Sequence, residues 1–130
     1  MSLFSDPRFV RACRVAFFIA LVFAMVMALL PKPPHLPIDR FGDKFEHILG
    51  FSVLAGLGVL SFPAVNRWRI AERLSFLGAL IEVCQSIPAL HRDCDIRDWI
   101  ADTIAIVVVI GLSTLVLPRL NGRHPAAAAG

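Results

Sequence analysis

Charge is what this sequence has least of. Only 18% of the chain is Asp, Glu, Lys or Arg, against about a quarter in an ordinary water-soluble domain, while 57% is hydrophobic. That balance excludes a domain built for water and points to lipid as the solvent. Cysteine is also scarce. Cys13, Cys84 and Cys94 lie far apart with no C-x-x-C spacing, which argues against both a disulfide framework and a cysteine zinc site. The H-x-x-x-H and H-E-x-x-H spacings of zinc enzymes are missing too, and no serine is placed beside a histidine for nucleophilic catalysis. A net charge of +3 raises the question of nucleic acid, but the basic residues flank apolar segments and form no run with interleaved aromatics. No nucleic-acid partner is expected.

What is present is a series of apolar runs punctuated by proline. The first, Val15 to Leu30, extends toward Cys13 if Arg14 snorkels to the headgroups, and it stops at Pro31. Arg8, Arg11 and Arg14 before it resemble the start of a signal peptide. The run is too long for one, however, and lacks an A-x-A cleavage site after it, so a retained helix is expected. Phe4 and Phe9 with Arg8 and Arg11 suggest a short interfacial helix ahead of it. Four prolines between Pro31 and Pro37 impose an extended loop. A second run, 45–62, is about 27 Å long as a helix and just spans a hydrocarbon core. The third, 68–87, is the weakest, because its apolar part carries Glu82 and Gln85 and its first turns hold Trp68 to Arg73. The fourth, 98–117, is interrupted only by Asp102 and is expected to end at Pro118.

These runs predict an all-α fold, a single membrane domain of four transmembrane helices at about 13–30, 45–62, 68–87 and 98–117. A low-complexity tail, 121–130, is expected to be mobile. Eight Lys and Arg residues flank the side that holds both termini, including Arg8, Arg67 and Arg119, against five on the other side. The positive-inside rule then places both termini of a multi-pass membrane protein in the cytoplasm. Trp68 and Trp99 fit interfacial belts at opposite surfaces.

Most acids fall on the outer half. Asp43 and His47 are four apart on the second helix and share a face with Lys44, three residues before the histidine. Gly78, Glu82 and Gln85 share a face of the third helix, with the glycine allowing close helix approach, and Asp98, Asp102 and Ala105 share one on the fourth. Alternating helix directions bring these turns to one end of the bundle. With Arg92 and Asp95 from the preceding loop, the candidate cluster is Asp43, Lys44, His47, Glu82, Gln85, Arg92, Asp95, Asp98 and Asp102.

The ordered segments Asp43-Lys-Phe-Glu-His47-Ile-Leu-Gly-Phe51, Gly78-x-x-x-Glu82-x-x-Gln85 and Asp95-Ile-Arg-Asp98-Trp-Ile-Ala-Asp102, with Arg92 before the last, resemble the VanZ-like membrane proteins. The likeness covers about residues 43–111 and implies a helical membrane protein. The sequence departs from the family pattern at Asp102, where the family has Asn, and at Ala105, where it has Gly. The family name derives from resistance to teicoplanin and implies no defined molecular activity.

Several readings of the cluster stay open at this level. It can be a structural network fixing helix register. It can bind the polar headgroup of an envelope lipid, with Arg92 and Lys44 on phosphate and the acids and His47 on hydroxyls or amines. It can hold a divalent ion through His47, Glu82, Asp98 and Asp102 for hydrolysis or transfer on a lipid-linked substrate. The chain can also be a non-catalytic accessory subunit of a larger membrane complex, since a weakly apolar third helix gains from a partner.

Overall fold

A computed structural model of the chain describes residues 3–121, and the tail expected to be mobile lies outside them except for Asn121. The described residues form four long helices and no strand: α1 (Pro7–Leu29), α2 (Asp43–Ser61), α3 (Arg67–Gln85) and α4 (Ile96–Asn121).

Each boundary has a local cause. Asp6 caps α1 by accepting from the backbone N–H of Arg8 at 2.7 Å, and Pro7 occupies the first helical position, where its missing donor costs nothing. The helix leaves at Leu30, whose extended backbone is the conformation a following proline imposes. Gly42, at φ 91°, makes the left-handed turn into α2. Asn66 caps α3 through the N–H of Trp68, and Asp95 caps α4 through that of Arg97.

Several boundaries differ from the sequence-based expectation, with α2 and α4 each beginning two residues earlier, at Asp43 and Ile96. The short interfacial helix foreseen before the first span is continuous with it, because Pro7 starts a helix that has no reason to stop among Arg, Ala and Phe residues. The third helix ends at Gln85, two residues early, where Ile87 is already extended ahead of Pro88. The fourth passes through Pro118 to Asn121. A proline in the last turn removes only one backbone bond, and just before it the hydroxyls of Ser113 and Thr114 donate to the carbonyls of Ile110 and Gly111.

Helices α2 and α4 form the central pair, with α1 covering α2 and α3 covering α4. Their shared core is Phe17, Phe51, Leu54, Ala55, Val59, Ile70, Ala71, Leu74, Ile81, Ile106 and Ile110. Two glycines set how closely the helices meet. A Cβ on Gly58 would stand 3.0 Å from Ile70 Cγ2, and one on Gly78 3.4 Å from both the Phe51 and Trp99 rings.

The distribution of polarity is inverted relative to a water-soluble bundle. Asp102 and Ser61 are among the largest fully buried side chains, while Val15, Ile19, Val22, Phe76, Val83 and Leu115 are each more than half exposed. A belt of that size has no stable partner in water. Helices α1, α2 and α4 are long and apolar enough to cross a membrane, which makes the chain a multi-pass membrane protein. Trp68, at the start of α3, is exposed. Trp99 does not follow the belt expectation simply: its indole N–H donates to the Ser75 carbonyl, tying α4 to α3.

Candidate functional site

The polar residues of α2 and α4 meet in successive ion pairs near one end of the bundle. Arg92 Nη2 lies 4.0 Å from Asp43 Oδ1, Lys44 Nζ lies 3.6 Å from Asp98 Oδ1, and His47 Nδ1 lies 3.2 Å from Asp102 Oδ2. Burial rises along the same order. The Asp43 side chain is 64% exposed, Asp98 11% and Asp102 1%. Helical spacing explains the arrangement: Asp43 and His47 are one turn apart on α2, and Asp98 and Asp102 one turn apart on the facing side of α4. Gly78 faces this turn, its Cβ position lying 3.8 Å from Asp102 Oδ2, at ordinary van der Waals contact.

The remaining expected members are engaged differently. Glu82 is buried and accepts from the backbone N–H of Asp95 at 3.1 Å, bracing the loop that enters α4. Asp95 spends its own carboxylate on capping α4. Gln85 reaches away from the ion pairs and donates to the Ala28 carbonyl at 2.9 Å, where it ties α3 to the last turn of α1. Metal binding is an alternative and not the main reading of the sequence, and its ligand set, His47, Glu82, Asp98 and Asp102, is not the one the structure groups. Asp43, His47 and Asp98 each offer a ligand atom, all within 4.8 Å of one another.

A cavity of about 310 Å³ opens between α1 and α2 beside these pairs. Its wall is apolar, from Ala20, Phe23, Ala24 and Met27 on α1 and Leu49, Gly50 and Val53 on α2. Its polar end holds Asp39, Asp43, Glu46, His47 and Arg92, beneath the proline loop at Pro33 and Pro34. Asp39 and Glu46 were not singled out from the sequence. Glu46 offered a signal in standing next to His47, and Asp39 in being four residues after His35. His35 Nδ1 lies 3.2 Å from Asp39 Oδ2, which also accepts from the Leu36 N–H at 2.9 Å. That backbone donor holds the Asp39 carboxyl below the ordinary carboxylate range, and His35 pulls the same way.

The opposite end of the bundle carries a different polar pattern. Arg14 donates to the Ser61 carbonyl at 3.1 Å and lies over the Phe62 ring, and Arg67 donates to the Ser113 carbonyl at 2.8 Å. Arg14 thus satisfies a carbonyl at the C-terminus of α2, while Arg67 ties the start of α3 to the body of α4. Comparison of the chain with protein-family models, curated proteins and solved structures returns no match.

Proposed function

We propose that the protein is a VanZ-like membrane protein that binds the headgroup of an envelope lipid at the polar end of the α1–α2 cavity. The observation that carries this reading is the cavity's polarity: apolar side chains along its length and charged ones gathered at one end. An acyl chain matches the first and a headgroup the second, and a water-soluble metabolite would leave the apolar wall unused. Arg92, with 18% of its side chain exposed, is placed to take phosphate, with Lys44 one ion pair away. Asp39, Asp43 and Glu46 suit hydroxyls or amines.

In this reading α3 is a fourth span. Its support is that α3 matches α2 in length and buries Ile70, Leu74, Gly78, Ile81, Glu82 and Gln85 within the bundle. The Lys and Arg asymmetry then directs both termini to the cytoplasm and the polar end outward, in the inner membrane of a bacterium.

Lipid co-purification tests the proposal. Gly50 lines the cavity, and a Cβ there meets nothing within 4 Å, so Gly50→Leu fills the space without disturbing the helix contacts. By native mass spectrometry of the purified chain, we expect Gly50→Leu and Arg92→Gln each to lower retained phospholipid at least tenfold, with helicity unchanged. Retention equal to wild type in both variants would refute the reading.

A further inference from the structure

The headgroup reading meets an electrostatic difficulty in its own site. Three carboxylates, Asp39, Asp43 and Glu46, share the polar end of the cavity with one guanidinium, Arg92, which already lies beside Asp43. A phosphate brought there faces like charge at short range, in a setting where water screens poorly. We propose that a divalent cation bound by Asp43, His47 and Asp98 bridges the protein to the headgroup phosphate, an inference that rests on the lipid reading above.

The donor set fits such an ion. Asp43 and His47 come from one face of α2 and Asp98 from α4, and their ligand atoms lie within 4.8 Å of one another. Donors to one ion at bond lengths of about 2.1 Å stand roughly 3 to 4 Å apart, so the set need draw in by only about an ångström, and the exposed Asp43 side chain has room to move. Two carboxylates and one imidazole leave coordination positions open and suit manganese or zinc.

A second observation points the same way. Asp102 is 1% exposed, and its Oδ1 has no hydrogen-bond partner among the described residues, while its Oδ2 faces His47 Nδ1. A buried carboxylate held only by an imidazole is the arrangement that orients a metal-binding histidine. In the tautomer whose Nδ1–H donates to Asp102, Nε2 is the nitrogen left for the ion. Two further contacts describe what binding would change. The Arg92–Asp43 and Lys44–Asp98 pairs are long, at 4.0 and 3.6 Å, and ligation of either carboxylate frees its basic partner for phosphate. The ion thus offsets the charge of Asp43 and Asp98 and leaves Arg92 and Lys44 to meet the phosphate.

The test uses the full chain in detergent, stripped with EDTA and titrated with Mn²⁺ by electron paramagnetic resonance. We expect one Mn²⁺ per chain with a nitrogen coupling that is absent in His47→Gln. Asp43→Asn and Asp98→Asn should weaken binding at least tenfold, and Asp102→Asn about tenfold through the imidazole. Glu82→Gln should leave affinity within about twofold, because Glu82 is committed to the Asp95 N–H. Absence of saturable binding, absence of the nitrogen coupling, or wild-type affinity in Asp43→Asn and Asp98→Asn would overturn the ion site. Retention of phosphatidylglycerol from mixed phosphatidylglycerol and phosphatidylcholine vesicles is then measured with and without EDTA. Loss of retention in EDTA supports the bridge, and equal retention overturns it. Mn²⁺ bound with no lipid retained under either condition leaves the ion site standing and removes the headgroup reading.

Discussion

The two ends of the α2–α4 interface are built on opposite principles. Toward the carboxyl-terminal half of α4, Ile106 and Ile110 are fully buried against a core that includes Leu54, Ala55 and Val59, and nothing in that layer needs a charge. Toward its amino-terminal half, Asp98 and Asp102 face Lys44 and His47 beside a cavity. Close packing cannot be exchanged for a ligand, but long ion pairs next to open space can. The comparison teaches that the apolar layer holds the bundle together, while the polar layer is tolerated by it and lies beside the cavity on which the lipid proposal rests.

Breaking the polar layer in its most buried place should have the largest effect. His47→Ala leaves the Asp102 carboxylate buried without its base, and we expect a loss of about 3 to 5 kcal/mol in reversible unfolding in mixed micelles. The cost belongs to the orphaned charge and not to the pair. The double variant His47→Leu, Asp102→Leu should accordingly return to within about 1 kcal/mol of wild type while lipid retention stays lost. Recovery of both properties would mean that the pair is only structural. Breaking the apolar layer comes next: Leu54→Ala opens a cavity at a side chain 1% exposed, with an expected loss of about 2 to 4 kcal/mol and lipid retention kept per folded molecule.

Smaller changes sharpen the contrast. Lys44→Met removes a half-exposed partner of Asp98 and should shift stability by less than about 1 kcal/mol, measured in the same unfolding assay. The smallest effect concerns the loop over the cavity. Because the Asp39 carboxyl is held below its ordinary range, its bond to the Leu36 N–H should persist below the usual Asp titration near pH 3.9. It is lost only as pH falls through the lowered value, and the stability it lends is complete at higher pH. Amide exchange at Leu36 checks this, with Asp39→Asn expected to raise exchange and abolish the acid step.

Much of the fold was legible because its causes are local. Prolines at 31, 63 and 88 follow the ends of helices, although the one at 118 is passed within the last turn, and runs such as Val15 to Leu30 report their own transfer to lipid. The shared faces of Asp43 with His47 and of Asp98 with Asp102 follow from the helical repeat alone, and both pairs meet in the structure. Gln85 shows where this reasoning stops. It lies on the same buried face as Glu82, yet its amide bonds the Ala28 carbonyl of α1, a partner that no spacing within α3 indicates.

By itself, then, the sequence determined that the chain is helical, where its apolar segments run and which polar residues share a turn. Tertiary structure alone decided that His47 pairs with Asp102, that Glu82 braces a loop, and that an apolar cavity between α1 and α2 ends at Arg92. Helical period and burial in lipid act within one segment, so they can be read along the chain. Pairing depends on how closely separate helices approach, here set by Gly58 and Gly78, and that distance exists only once the helices are packed.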